Sequence, residues 1–273
     1  MSRPISRMNL FINLRNYIAP YLRRLYEFCF KVFWFAYSDI KSKYARNYLG
    51  PFWIVISMSL SSLGIALLWT QIFDSDPKTT IPLITIGFVL WIVSTSVIQE
   101  SLNTYTSKAS TLKSIRLNIL FFPAVLTAKH FLSFLHYLII FILIKLYVGD
   151  FRIQSIMLFL FGIIYFFSSL FLLSIIFGYY ASRFRDLESF VNSILPMMFF
   201  LSPVLLRDKM LGDYSYFLWL NPFSYLIWLV RDPFLNVPFD EKIYIFAISL
   251  LLVYIAIFWF LIKNKLSQIV SLL

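Results

Sequence analysis

"YARNYLGPFW", residues 44–53, lies where two solvents meet. Tyr44, Arg46 and Asn47 suit water or lipid headgroups, whereas Phe52, Trp53 and the apolar run behind them suit hydrocarbon. Reading that run, Phe52 to Phe73, as a membrane-crossing helix decides the fold class, because a bilayer admits only helices and closed barrels. Composition agrees. The 273 residues are 60% hydrophobic and 14% charged, with mean hydropathy +0.79; an average soluble domain is about one-quarter charged. A soluble core cannot hide that much apolar surface. Period-2 alternation is absent, which argues against a β-barrel.

Working outward, six stretches meet the need for roughly 20 mostly apolar residues: 52–73, 81–99, 119–148, 155–181, 187–206 and 243–262. The third is interrupted by Pro123, Lys129 and His130, and its strongest part is 131–148. The fifth contains Pro196 and Pro203. A further apolar segment, "YSYFLWLNPFSYLIWLV" (214–230), is broken by Asn221-Pro222. Proline removes a helical hydrogen bond and clashes with the preceding turn. The segment 214–235 is therefore expected to be re-entrant, two short helices that dip in and return on one side; a seventh span is the alternative. The chain reads as an all-α polytopic membrane protein. Residues 1–51 form a cytoplasmic tail and an amphipathic interfacial helix, and 52–273 form the transmembrane domain.

Charge orients it. With the N-terminus inside and six spans, 17 of the 24 Lys and Arg lie inside. The remainder, Lys78, Lys145, Arg152, Arg207, Lys209, Arg231 and Lys242, lie outside. This is the positive-inside asymmetry, and a seventh span would weaken it by sending Lys263 and Lys265 out. Residues 1–24 carry five Arg and only a short apolar patch, Leu10-Phe11-Ile12. No secretory signal is read there, and the first span is expected to do the targeting.

Several chemistries find little support. Cys29 is the only cysteine, and His130 and His136, six apart, would face different sides of a helix, so no metal site is expected. The 13 acids are scattered and do not cluster with either His, which disfavours a membrane transferase. No internal repeat marks a secondary transporter. No G-x-x-x-x-G-K-[ST] occurs, so any ATP and Mg are expected on a partner, with no cofactor in this chain. Membrane lipids, and not nucleic acid, are the expected partners of its cations.

Several places invite a role. The segment 22–48 mixes aromatic bulk with Lys41, Lys43 and Arg46 and reads as an interfacial helix, either a simple anchor or a docking surface. Glu100, near the inner end of the second span, is costly against lipid and is expected to snorkel or pair with a nearby Arg. Lys129 and His130 are read as a water boundary. Arg183, Arg185 and Asp186 occupy a short inside turn, where Arg–Asp contacts would brace the corner. Aromatic residues make up 20% of the chain. Sugar rings pack their C–H faces on aromatic rings, a sequence-tolerant contact like base stacking in single-strand channels. Most of the aromatics read as lipid-facing bulk and interface belts, and Trp53, Trp69, Tyr105, Phe121, Phe122, Phe199 and Phe200 are the candidates from which a minority would line a polymer path.

"LGPFW" (49–53) before the first span, "ASRFRDLESFV" (181–191) and "NPFSYLIWLVRDPFL" (221–235) occur in this order on the expected topology. Together they resemble the polysaccharide-export permeases of the ABC transporter superfamily, closest to the membrane subunit of O-antigen exporters of the Wzm type, over about 31–262. The resemblance implies a homodimer with six spans per subunit, a central channel for a lipid-linked polysaccharide, and a separate soluble P-loop ATPase. It places the ATPase contacts on the interfacial helix (Lys41, Lys43, Arg46), on the loop 103–118 (Lys108, Lys113, Arg116) and at the turn of Arg183, Arg185 and Asp186. Gly50-Pro51 would set a rigid corner, and Asn221, Pro222, Arg231, Asp232 and Pro233 belong to the external motif. The location implied is the bacterial inner membrane, with both termini cytoplasmic. Capsule polymer, teichoic acid or a small drug are alternative cargoes on the same fold.

Overall fold

A computed structural model describes residues 7–45, 47–50, 52–114, 118–149, 153–205 and 212–264, with no statement made of side chains at 7–18, 153–154 and 264. Arg46, Pro51 and Arg116, and the expected outer-loop cations Arg152, Arg207 and Lys209, lie outside the described residues. The helices are α1 (Arg7–Tyr44), α2 (Phe52–Ile72), α3 (Pro77–Leu102), α4 (Ala109–Ser114), α5 (Phe121–Val148), α6 (Ile153–Arg183), α7 (Asp186–Phe200), α8 (Tyr216–Leu220), α9 (Pro222–Phe234) and α10 (Glu241–Asn264). Five stretches among the described residues are long and apolar enough to cross a membrane: Phe52–Ile72, Pro77–Leu102, Phe121–Val148, Ser155–Arg183 and Glu241–Lys263.

The expected fifth span, 187–206, is not one full-length helix. Helix α7 has 15 residues. At about 1.5 Å per residue that is roughly 22 Å, against roughly 30 Å of hydrocarbon. The helix stops because its last carbonyls are taken from the side. Asn221 Nδ2 donates to Met198 O (3.1 Å) and Leu201 O (3.0 Å). Arg231 Nη1 donates to Pro203 O. The turn 201–205 is thus held by side chains from α9 and the residue before it. Asn221 also caps α9, its side chain accepting from Phe223 N at 3.0 Å, with Pro222 in the first turn where no N–H is needed. Asn221-Pro222 therefore breaks the 214–235 segment into α8, of 5 residues, and α9, of 13. Neither is long enough to be the seventh span.

Helix α5 corrects a second expectation, since Pro123, Lys129 and His130 do not interrupt it. Pro123 falls in the first turn, where backbone N–H groups have no intrahelical acceptor to lose. Its 28 residues reach about 42 Å, so its first turns run past the hydrocarbon and give α1 something to lie against.

Helix α3 is the centre of the bundle and touches α2, α5, α6, α7 and α9. Two of its buried hydroxyls bond back to its own carbonyls, Ser94 Oγ to Leu90 O (2.8 Å) and Thr95 Oγ1 to Trp91 O (3.0 Å), which keeps those donors from facing apolar neighbours. Helix α9 packs most closely on α6. A Cβ at Gly162 would overlap the Leu229 carbonyl, 2.6 Å from its carbon and 3.1 Å from Val230 Cα, so only glycine lets the two backbones meet. From Ser224 to Arg231 every side chain of α9 is buried.

Two of the seven expected outer-loop cations prove to be interior. Arg231 is 4% exposed and Lys145 8%. Arg231 Nε donates to Asp232 Oδ1 at 2.8 Å, and Lys145 Nζ donates to Phe234 O at 2.6 Å while lying 5.1 Å above the Phe234 ring. Buried cations need such partners. They pin α9 to α5 and to the 201–205 turn.

Candidate functional site

The end of the bundle where α1 meets α2 gathers most of the residues singled out for coupling. Val32, Ala36 and Ile40 recur every four residues and are buried. They form the stripe by which α1 docks on α5, with Val32 and Ala36 against Phe121, Val125 and Ala128. Phe28 and Phe35 meet the Phe121 ring edge-on at 6.1 and 5.5 Å. The other face exposes Tyr26, Phe30, Trp34 and Tyr37, the composition of a helix lying among headgroups. Lys41 and Lys43 occupy the last turn, where a helix C-terminus favours cations. Lys43 Nζ sits 5.7 Å from the Tyr44 ring centre, and burial pushes the Tyr44 phenol up, keeping it neutral. Beyond Tyr44, consecutive backbone turns carry the chain to α2 (Gly50 N to Asn47 O, 3.1 Å; Phe52 N to Leu49 O, 3.2 Å). Gly50 has φ +53° with open space around its Cα. It is needed for its left-handed backbone, not for close packing.

Beneath this corner is a cavity of about 440 Å³ lined by Asp39, Lys43 and Tyr44 of α1, Ile54 of α2, Glu100 of α3, and Lys129 and His130 of α5. Lys129 Nζ donates to Glu100 Oε2, and His130 Nε2 lies 3.2 Å from Glu100 Oε1. One carboxylate of α3 is thus gripped by two bases of α5, directly under the last turn of α1. The partners expected for Glu100 were arginines; it has a lysine and a histidine. Lys129 and His130, read from sequence as a water boundary, also make a cross-helix tie.

The loop after α3 is folded. Asn103 caps α3, a 3-10 turn spans Thr106–Lys108, and α4 follows. Leu112 is buried and anchors α4, while Lys108 and Lys113 are exposed. Tyr105 is fully buried and touches α6 where glycine makes room: a Cβ at Gly178 would be 3.0 Å from its ring. Burial pushes the Tyr105 phenol up as well. The turn between α6 and α7 lies next to this loop. Asn103 Nδ2 donates to Glu188 Oε1 (2.8 Å), and Gln99 Nε2 to Asn192 Oδ1 (3.2 Å). Among the described residues no Arg–Asp pair braces that corner. Arg183, Arg185 and Asp186 are exposed, and Arg183 lies over the Phe184 ring at 5.7 Å. Side-chain amides do the bracing and leave the charges outward.

The aromatic candidates separate. Tyr105 and Phe121 are enclosed by protein, which removes them from a surface for cargo in this conformation. Phe122 and Trp69 are half-buried. Trp53 and Phe200 are exposed, and Phe199, half-buried, backs Phe200 at 5.5 Å while leaning on Trp91 at 5.5 Å. Phe190 and Met197 join Phe200 on the exposed side of α7, together with Ser189, Asn192 and Ser193. The sequence reading missed this mixed face, although polar residues recurring in an apolar 15-residue helix were the available signal. It singled out Glu100, Lys129 and His130 but did not join them, although intramembrane charges seek each other.

The model of the family described as ABC-2 type transporter matches residues 31–235. The O-antigen export system permease protein RfbA of Klebsiella pneumoniae is 27% identical over 205 residues, which cover 73% of this chain and 78% of that protein.

Proposed function

The chain belongs to the ABC-2 type transporter family, and from that membership we propose that it is the permease subunit of an ATP-driven exporter of a lipid-linked polysaccharide of the O-antigen kind. It is a multi-pass membrane protein and a transporter subunit, not an enzyme, and the family implies a partner ATPase. The cargo reading is supported by the name of the relative, O-antigen export permease. It is carried by one observation, the exposed face of α7 that sets Phe190, Met197 and Phe200 beside Ser189, Asn192 and Ser193. Asn192 accepts from Gln99 Nε2 (3.2 Å) and Ser193 Oγ donates to Ser189 O (2.8 Å), yet exposed amides and hydroxyls remain costly against lipid. Facing a wet path, they hydrogen-bond water or sugar hydroxyls while the rings offer flat apolar faces.

In this reading two copies form the path. Ser57, Ser61 and Gly64 make a small exposed stripe on α2, a surface that permits close helix approach. ATP and Mg are bound by the partner, which seats on α1, on Lys108 and Lys113, and beside the Arg183, Arg185 and Asp186 turn. A push on α1 reaches α3 and α5 through the Glu100 group. Removing the interior Lys145 and Arg231 from the outer-loop tally strengthens the charge asymmetry that favours cytoplasmic termini in a bacterial inner membrane.

The test is a strain lacking this chain, complemented with wild type or with Lys108→Glu plus Lys113→Glu. The empty strain should retain lipid-linked polymer inside, and wild type should restore it to the surface. The double variant should reach the membrane at wild-type level yet retain less than about a tenth of ATPase co-purification. Normal surface polymer in the empty strain would overturn the export reading, and full ATPase retention by the double variant would overturn the docking assignment.

A further inference from the structure

At the opposite end of the bundle from α1, the start of α6, the end of α9 and the start of α10 enclose a second cavity, of about 320 Å³. Its lining combines three aromatic rings, Trp228, Phe239 and Tyr244, with two carboxylates, Asp232 and Asp240, and the hydroxyl of Ser155. None of these residues takes part in the joint under α1 or in the α7 face.

The wall is fixed before anything binds. Helix α9 ends in a Schellman motif, Asn236 N donating to Pro233 O (3.1 Å) and Val237 N to Asp232 O (2.9 Å), with Asn236 at φ +57°. The Asp232 carboxylate accepts from Arg231 Nε at 2.8 Å, and Asp240 Oδ1 accepts from Lys242 N at 2.9 Å. Phe239 and Tyr244 lie 4.6 Å apart with planes tilted by 35°, so they make one nearly continuous apolar shelf. Yet Phe239 remains 55% exposed.

We propose that this cavity binds a single neutral sugar ring. A pyranose has one apolar C–H face and a rim of hydroxyl donors. The Phe239–Tyr244 shelf fits the face. The two oriented carboxylates, acceptors only when ionised, fit the rim with charge-assisted bonds. An anion is disfavoured by Asp240. An organic cation suits rings and acids too, but Asp232 is already neutralised by Arg231, and the two rings form a shelf instead of a box. The volume is at the small end of the range for ligand sites, about 300 Å³ upward, which fits one residue of a chain. This assignment rests on the export reading for its biological sense: a sugar held here is one leaving the path on the far side.

The experiment is saturation-transfer NMR on the full chain with its ATPase in nanodiscs. The probes are methyl α-glycosides of glucose, mannose, galactose and rhamnose, each at millimolar concentration, with choline chloride as the competing cation. At least one glycoside should show transfer strongest at its ring C–H protons. The signal should fall at least fivefold in Phe239→Leu with Tyr244→Leu and in Asp240→Asn. Thermal unfolding of each variant checks that it is folded. No transfer from any glycoside, transfer unchanged in the shelf variant, or displacement of the sugar by choline would overturn the site. If polymer is exported normally while no glycoside binds, the site fails and the export reading stands. If glycosides bind but loss of the chain retains no polymer, the reverse holds.

Discussion

The two ends of the bundle are fastened by different chemistry. At the α9 end, cations are sealed among helices and donate to backbone carbonyls, Arg231 to Pro203 O and Lys145 to Phe234 O. Glycine at 162 removes the last spacing between α6 and α9. At the α1 end the fastening is a carboxylate and two bases beside a cavity, with the Lys129 side chain 24% exposed and that of Glu100 43%. An interior cation bonded to a carbonyl is shut off from water, so moving α9 breaks its bonds without hydration to offset them, and that end is a lock. A half-exposed ion pair can exchange its partner for water at little cost, so the other end is a joint. A transporter subunit driven from one side needs both: an end that yields to the motor and an end that keeps its shape while cargo passes.

The largest effect is expected at the lock. Gly162→Val places a branched side chain into the Leu229 carbonyl, and overpacking against backbone cannot be relieved by a rotamer change. Membrane-inserted, protease-resistant protein should fall to background on immunoblot. Wild-type levels would mean that α9 can leave α6, and the lock would not exist. Next is Arg231→Met, which keeps the stem and removes the donor to Asp232 and to the Pro203 carbonyl. Breaking a buried pair costs about 3–5 kcal/mol, so detergent-solubilised protein should unfold many degrees earlier in a thermal-shift assay. The smallest change is expected at the joint. For Glu100→Gln, side-chain exposure discounts the pair to about 1 kcal/mol or less. The protein should fold and reach the membrane normally, while stimulation of the partner ATPase and export decline together. A loss of fold as severe as that of Arg231→Met would erase the distinction between the two ends.

Much of the framework was legible because it follows from solvent preference. The α2, α3, α5, α6 and α10 stretches stand within a few residues of the apolar runs that announced them, and Asn221-Pro222 broke the helix where proline must. The failures have a common cause. The 187–206 run was apolar enough for a span, yet its helix ends at Phe200, where Asn221 takes the Met198 and Leu201 carbonyls and Arg231 holds the turn beyond through Pro203 O, both distant in sequence. Tyr105 and Phe121 looked like the other aromatics, and only packing against α6 and α1 showed that they are interior. Lys145 and Arg231 were counted as loop charges because hydropathy cannot see a partner 28 or 89 residues away.

The sequence by itself determined that the chain must live in a bilayer, where its helices run and which end carries the cations, since each depends on neighbouring residues and the solvent they prefer. Only the tertiary structure decided which charges are tied to which, which aromatic faces remain open and where glycine is obligatory. Those depend on contacts between segments that the bilayer brings together side by side. In a solvent that can satisfy no polar group, the buried side chains of Lys145, Asn221 and Arg231 take their partners from the segments that packing places beside them.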